Sequence, residues 1–169
     1  MAYNTNLSRS RGRGFEVQVV DRLKGLGYSA KKVLLSGSHL AKPYDVIVKG
    51  LRLKIEAKRT MKDYISLQGK WLDKVSDKLI LVFAVGRYSG GRTIEMWALS
   101  PCPHPMLNPS SAILMRKNKR IYREELPFWL SYNGKPFAAV PLEDYMESRY
   151  PLENKEKKNE SGAAKSVCS

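Results

Sequence analysis

Residues 45–58 read DVIVKGLRLKIEAK, two apolar-rich segments on either side of a short turn at Gly50. Each segment is typical of a β-strand, and the second alternates apolar and charged residues. Successive side chains of a strand point to opposite faces, so Glu56 and Lys58 project from the same face. Asp45 opens the first strand, close enough across the turn to join them. Two carboxylates and a lysine at one sheet edge can hold a divalent cation beside a phosphate.

The charged face of the second strand also has a simpler interpretation. Any half-exposed strand shows this alternation, with its charges facing water. Taken alone, Glu56 and Lys58 fit a solvent-exposed strand face better than a functional site. When Asp45 is added, the two interpretations fit equally well. Glu16 is a further candidate, because it lies beside the apolar stripe of a predicted helix. It is otherwise a helix-surface glutamate near Arg13.

The composition predicts one globular domain with a polyanionic partner. The chain has 169 residues, 43% of them hydrophobic, and its 30 Lys+Arg against 16 Asp+Glu give a formal net charge of +14. Nucleic acid is the usual partner of so basic a protein, although a merely soluble basic protein is the alternative. No run approaches the about 18 apolar residues of a membrane span, so we expect no membrane partner. We expect a cytoplasmic protein, either nucleoid-associated or encoded by a virus, because no signal-peptide core is present.

The chain is poor in the ligands that zinc prefers. Two cysteines and two histidines lack zinc-ligand spacing, so any metal should have oxygen ligands, which suits Mg²⁺ with Mn²⁺ as a substitute. Residues 12–14 read GRG, but Val17 stands where a dinucleotide loop has its third glycine, and no strand precedes them. We therefore expect no nucleotide cofactor.

Hydrophobic spacing predicts an α/β sandwich around a mixed sheet. A flexible basic arm (1–11) precedes a folded domain (12–152), and a polar, disordered tail (153–169) follows it. The predicted elements are a helix over 12–26, strands over 30–35, 45–48 and 51–58, a helix over 62–76, strands over 79–85 and 93–99, an irregular strand pair within 113–122, a short helix over 124–130 and a last strand over 137–140.

Four fragments occur in a suggestive order: Glu16, Ser36-Gly37-Ser38, Asp45 and Glu56-Ala57-Lys58. The serine-glycine-serine fragment alone is simply a turn. The ordered set resembles the archaeal-type Holliday-junction resolvases, a branch of the PD-(D/E)xK nuclease superfamily. That family has a glutamate on the first helix, a serine-glycine-serine turn after the first strand, an aspartate opening the second strand and Glu-x-Lys on the third.

The resemblance covers about residues 11–85 and implies a restriction-endonuclease-like mixed β-sheet flanked by helices. It also implies a metal-dependent endonuclease that resolves four-way DNA junctions by paired symmetric nicks. The loop over 40–43 is bulkier than the short glycine-containing link of the family, which could alter the preferred junction. The chain beyond Ser100 has no counterpart in the resemblance.

The family's roles can be carried over residue by residue. Asp45 and Glu56 resemble the metal ligands, with the Ala57 carbonyl as a third. Lys58 would polarise the attacking water and the scissile phosphate, and Glu16 would complete the carboxylate set.

Two further positions have supporting roles by the same resemblance. Ser38, or alternatively Ser36, would contact the phosphate or fix the metal shell. Gln68 either supports the site or is a surface glutamine; both interpretations fit equally well.

Basic residues flank these motifs and are expected to contact DNA phosphates. About eight contacts predict that log affinity falls with log salt at a slope of about −7. Phosphate contacts favour recognition of junction shape over base sequence. The expected phosphate contacts are Arg9, Arg11, Arg13, Lys31, Lys32, Lys42, Arg59 and Lys62.

The symmetry of a junction implies a C2 homodimer, with interface candidates within 79–99 or 128–130.

Other functions remain open at the level of sequence. A nuclease of the same superfamily could act on duplex, flap or fork DNA instead. A non-catalytic DNA-binding protein of the same fold is a different class, and a ribosome-type RNA binder is more remote. Metal ions assist phosphodiester hydrolysis by activating water and stabilising charge on the phosphate, which is why an acidic cluster in a basic chain favours the enzyme.

Overall fold

The computed structural model describes residues 5–33, 44–86, 94–102 and 112–152, with side chains from Gly14 onward. Helices and strands alternate irregularly along these ranges. In chain order they are α1 (Thr5–Gly25), β1 (Ala30–Lys32), β2 (Val46–Val48), β3 (Leu53–Arg59), β4 (Tyr64–Gln68), α2 (Gly69–Leu72), β5 (Leu79–Ala84), β6 (Trp97–Pro101), β7 (Ile113–Met115), β8 (Asn118–Tyr122), β9 (Phe128–Tyr132), β10 (Lys135–Pro141) and α3 (Leu142–Arg149).

Eight strands form one sheet in the order β1-β2-β3-β5-β6-β10-β9-β7. Neighbouring strands run antiparallel except for the β3–β5 and β7–β9 pairs, which are parallel. The remaining two strands, β4 and β8, pair antiparallel as a separate small sheet. The fold is therefore mixed α/β, with a large, mostly antiparallel sheet flanked by helices.

The large sheet separates two apolar clusters. On one side, here the helix face, Phe15 of α1 and Met146 of α3 pack against strand residues such as Ile55. On the other, here the small-sheet face, Ile65 of β4 and Ile121 of β8 pack against the sheet together with Leu72 of α2. Strand β5 supplies residues to both clusters, which explains the continuous apolar run of the predicted strand over 79–85.

Helix α1 packs through the predicted stripe, in which Phe15, Val19 and Leu23 are buried. It begins at Thr5 rather than near Gly12, so residues 5–11, assigned to an arm from the sequence, have helical backbone. Gly27 ends it as predicted: its φ of +91° is a left-handed conformation that glycine adopts at little cost. The N–H of Tyr28 then donates to the carbonyl of Leu23 at 2.9 Å, which closes the helix end.

The predicted helix over 62–76 is wrong. Residues Tyr64–Gln68 form strand β4, and α2 is a single turn. Ile65 and Leu67 alternate with more exposed neighbours, and pairing with β8 gives this period-two pattern a buried side. At Gly69, between β4 and α2, a Cβ would collide with the Tyr132 hydroxyl, so a larger residue does not fit there.

The C-terminal third also departs from the prediction. Strands β7 and β8 lie within 113–122, but they pair with β9 and β4 rather than with each other. The predicted helix over 124–130 is a 3-10 turn at Arg123–Glu125 followed by β9. The last predicted strand is confirmed as β10, and α3 directly after it was not predicted.

Some predictions fall outside the described residues. Ser36, Ser38 and Lys42, the tail over 153–169 and the side chains of Arg9, Arg11 and Arg13 belong to this group. Among the helices in the described ranges, none has the length and apolarity needed to cross a membrane.

Candidate functional site

The candidate site is built around the point where β2 begins beside β3. The Asp45 backbone N–H donates to the Ile55 carbonyl at 2.8 Å, and its carbonyl accepts from Val33 at 2.8 Å. The Asp45 carboxylate Oδ2 accepts a further hydrogen bond of 2.8 Å from the Ala57 N–H. Asp45 is thereby held on both sides, by β3 and by the end of β1.

The hydrogen-bonding directions along β3 explain this arrangement. The N–H groups of Lys54 and Thr60 donate toward β5, to the carbonyls of Lys78 and Ala84. Backbone groups alternate in direction along a strand, so those of Ala57 point toward β2. Because regular β2 pairing stops at the Val46–Ile55 pair, the Asp45 carboxylate supplies the acceptor that a strand backbone would otherwise provide.

Glu56 and Lys58 share one face of β3, as predicted. Lys58 Nζ lies 2.5 Å from Glu56 Oε1, and the two side chains are 23% (Glu56) and 32% (Lys58) exposed. Lys58 Nζ also lies 5.8 Å from the centre of the Trp71 ring, within range of a cation–π contact. This pair is on the small-sheet face, because Ile55 and Ala57 pack on the helix face.

Glu16 is held elsewhere. Its Oε2 lies 2.5 Å from Lys32 Nζ on β1, and the Glu16 side chain is 14% exposed. This oxygen is buried, and Lys32 holds it through an ion pair rather than a hydrogen bond; within the described part of the chain it has no hydrogen-bond partner. Glu16 follows Phe15 on α1, which lies over the helix face, whereas Glu56 lines a small gap beside Trp71 on the opposite face.

The three predicted carboxylates are therefore not gathered into one cluster. Within 14–33, 44–86, 94–102 and 112–152, no three His, Cys, Asp or Glu side chains lie close enough together to hold a metal ion. The structure does bring Asp45 to Ala57, and Glu56 to Lys58. The Asp45 carboxylate, the Ala57 carbonyl and the Glu56 carboxylate are hard oxygen donors, the type that Mg²⁺ binds.

The predicted phosphate contacts are spread over several elements. Lys31 is exposed on β1, whereas Lys32 forms an ion pair with Glu16. Arg59 Nη1 donates to Gln18 Oε1 at 3.4 Å, joining β3 to α1. Lys62 Nζ donates to the Tyr64 hydroxyl at 3.0 Å.

Gln68 does not begin a long helix. It ends β4, where it lines an open groove of about 480 Å³ together with Lys70, Lys117, Asn118 and Tyr132. The sequence reasoning missed this groove and the cations of β8, because it assigned β4 to a helix. The run Arg116–Arg120, with four cations in five residues, was the available signal.

In comparisons with known proteins, no protein-family model matches the chain, and no curated protein matches its sequence.

Proposed function

We propose that the protein is a metal-dependent endonuclease with a restriction-endonuclease-like core, which resolves four-way DNA junctions by paired symmetric nicks. The observation that carries the proposal is the hydrogen bond from the Ala57 N–H to Asp45 Oδ2 at 2.8 Å. It holds an aspartate at the entrance of the second strand against the middle of a Glu-x-Lys sequence on the third. Glu16 is on the first helix, so the order of elements agrees with the resemblance.

The proposed cation site consists of the Asp45 carboxylate, the Ala57 carbonyl and the Glu56 carboxylate. A divalent ion there would supply water activation and charge stabilisation at the phosphate. Glu16 has its proposed place in the carboxylate set from the resemblance alone, because in the structure it pairs with Lys32 over the helix face, away from Glu56. Ser38, or Ser36, is proposed to contact the phosphate.

Lys58 has a role that depends on its present partner. In the structure its ammonium group lies 2.5 Å from Glu56 Oε1 and neutralises that carboxylate. Because a cation at Glu56 competes for the same carboxylate, binding would release Lys58 toward the scissile phosphate. A point charge placed there stabilises the negative charge that develops in the transition state.

The proposed substrate is branched DNA, and the proposed assembly is a homodimer with one site per chain. The net charge of +14 favours a polyanionic ligand. The chain itself buries much of the earlier interface candidates, since Leu81, Phe83, Phe128 and Leu130 are at most 3% exposed. An interface between two copies would therefore use residues other than these four.

A cleavage assay on matched substrates tests the proposal. The full chain is incubated with a mobile four-way junction, a linear duplex, a flap and a fork, each with Mg²⁺, Mn²⁺ or EDTA. We expect paired symmetric nicks in the junction with either metal, and none with EDTA. Asp45→Asn should lose cleavage and keep junction binding, whereas Asp21→Asn, an exposed acid on α1, should keep both.

The other outcomes identify the alternatives. Preferential cutting of duplex, flap or fork would indicate a different nuclease of the superfamily. Junction binding without nicking in either metal would indicate a non-catalytic DNA-binding protein. Unchanged cleavage by Asp45→Asn would refute the assigned site.

A further inference from the structure

The outer face of the β4–β8 sheet carries a group of aromatic and cationic side chains, here called the tyrosine platform (Lys62, Tyr64, Arg120 and Tyr122), of which Tyr64 is partly buried and the others are exposed. Tyr64 and Tyr122 are opposite each other in the strand register, with ring centres 5.5 Å apart. Arg120 Cζ lies 5.0 Å from the Tyr64 ring centre and Lys62 Nζ lies 5.2 Å from it. Tyr122 is 37% exposed, so this face is open to solvent.

The inner side of the same two strands accounts for their stability. Ile65 and Ile121 are opposite each other, and both are buried in the small-sheet cluster. The outer tyrosines are not needed to cover apolar surface. The pair consists of a partly buried ring, Tyr64, and an exposed ring, Tyr122. Solvent-accessible aromatic rings flanked by cations allow nucleic-acid bases to stack while the backbone phosphates contact positive charge.

The positive charge on and beside these two strands favours a negatively charged ligand. The run Arg116–Arg120 contributes four exposed cations, and neither β4 nor β8 contains an acidic residue. Acids do flank the strands: Asp63 precedes β4, Glu124 and Glu125 follow β8, and Glu125 accepts the Tyr122 N–H at 2.7 Å. The pKa of the Tyr64 hydroxyl is lowered, chiefly by its hydrogen bond from Lys62.

The other end of the same strands continues the surface. There the groove of about 480 Å³ is lined by Lys70 and Lys117 and by the amides of Gln68 and Asn118. Cationic side chains thus occur at both ends of the β4–β8 sheet, with tyrosine rings at one end and amide side chains at the other.

We propose that the tyrosine platform binds unpaired DNA, with bases stacked on Tyr64 and Tyr122 and phosphates held by Lys62 and Arg120. The inference rests on the proposed function, since it takes DNA as the ligand, and it names the part of a branched substrate that this surface contacts. Tyr64 follows Lys58 by six residues, so their Cα atoms lie within about 20 Å of each other. An unpaired strand leaving a branch point can span that distance.

Binding to single-stranded DNA without metal tests the platform apart from catalysis. The full chain is titrated in EDTA against a labelled oligothymidylate of about ten nucleotides, with fluorescence anisotropy as the readout. Tyr64→Leu and Tyr122→Leu should each weaken binding by about tenfold, because leucine cannot stack on a base. Tyr64→Phe and Tyr122→Phe keep a stacking ring and should stay within about twofold of the wild type.

Charge is tested with a matched pair. Arg120→Gln should weaken oligothymidylate binding by several fold more than Lys135→Gln, which removes an exposed cation at the start of β10. Circular dichroism confirms that each variant is folded. Equal losses for Arg120→Gln and Lys135→Gln, or leucine variants that bind like the wild type, would overturn the proposal. A chain that binds oligothymidylate through the platform but never nicks DNA would uphold this inference and refute the proposed nuclease.

Discussion

Asp45 Oδ2 accepts a hydrogen bond of 2.8 Å from the Ala57 N–H, a contact between two residues twelve positions apart. The bond gives the aspartate two separable functions. As an acceptor it satisfies a backbone donor of β3 just before β2 begins. As a charged group beside the Ala57 carbonyl it is a proposed cation ligand. Substitutions can remove one function and leave the other.

Asp45→Ala should lower the free energy of unfolding by about 1–3 kcal/mol, because the partly buried Ala57 N–H loses its acceptor. Asp45→Asn keeps an amide oxygen at the same position and should cost less than about 1 kcal/mol. Urea denaturation followed by circular dichroism measures both. Equal destabilisation by the two substitutions would show that the charge of Asp45, not the hydrogen bond, matters for stability.

The relationship between Glu56 and Lys58 could be predicted from sequence, and that between Asp45 and Ala57 could not. A strand has a side-chain period of two, so alternation alone places Glu56 and Lys58 on one face. The Asp45 contact depends on where β2 stops pairing with β3, which no local pattern specifies. The position of Glu16 was beyond prediction for a similar reason, since the apolar stripe shows which side of α1 is buried but not which strands it crosses.

Strand β4 shows the same limit for the fold. Tyr64, Leu67 and Trp71 recur at helical spacing, while Ile65 and Leu67 alternate at strand spacing. Both periods fit so short a segment. The partner strand β8, some fifty residues further along the chain, decides between them. Strand β5 could be predicted because its apolar run is uninterrupted, whereas a strand that is buried on one face alternates apolar and polar residues.

Lys58→Met should separate cleavage from metal binding. Removal of the ammonium group frees Glu56 from a competing partner, so we expect Mn²⁺ to bind severalfold more tightly, as measured by calorimetry. Cleavage should fall by at least about 100-fold, because a charge near the transition state is lost. The free energy of unfolding should change by less than about 1 kcal/mol, since the pair is partly exposed.

Lys24→Met is the matched control for that substitution, because Lys24 is an exposed lysine on α1 outside the proposed cation site. It should leave both Mn²⁺ affinity and cleavage unchanged. Weaker Mn²⁺ binding by Lys58→Met would contradict the competition between lysine and cation for Glu56.

Junction affinity should fall with salt at a slope of about −7 in a plot of log affinity against log salt, if about eight phosphate contacts form. Lys31→Gln should reduce that slope by about one, because Lys31 is exposed and forms no ion pair with any residue that the structure describes. Lys32→Gln should reduce the slope less, since Glu16 already neutralises Lys32. Anisotropy titrations of a labelled junction in EDTA at several salt concentrations measure these slopes. Identical slopes for the two variants would show that the Glu16–Lys32 pair opens on binding.

Tyr145 should make the fold sensitive to alkali. Burial raises the pKa of its hydroxyl above the ordinary value near 10. Above about pH 10 the unfolded chain therefore loses this proton while the folded chain keeps it, so stability falls as pH rises. The slope from one such group is at most about 1.4 kcal/mol per pH unit.

Tyr145→Phe should flatten the decline in the free energy of unfolding between about pH 10 and 11, because phenylalanine has no proton to lose. Tyr64→Phe is the matched control with the opposite sign. The hydrogen bond from Lys62 lowers the pKa of Tyr64, so that residue adds stability as pH rises toward 10 and cannot cause the decline. Urea titrations at a series of pH values measure both variants. An unchanged decline in Tyr145→Phe would assign the alkaline sensitivity to another buried hydroxyl, for which Tyr28 is the candidate, since burial also raises its pKa.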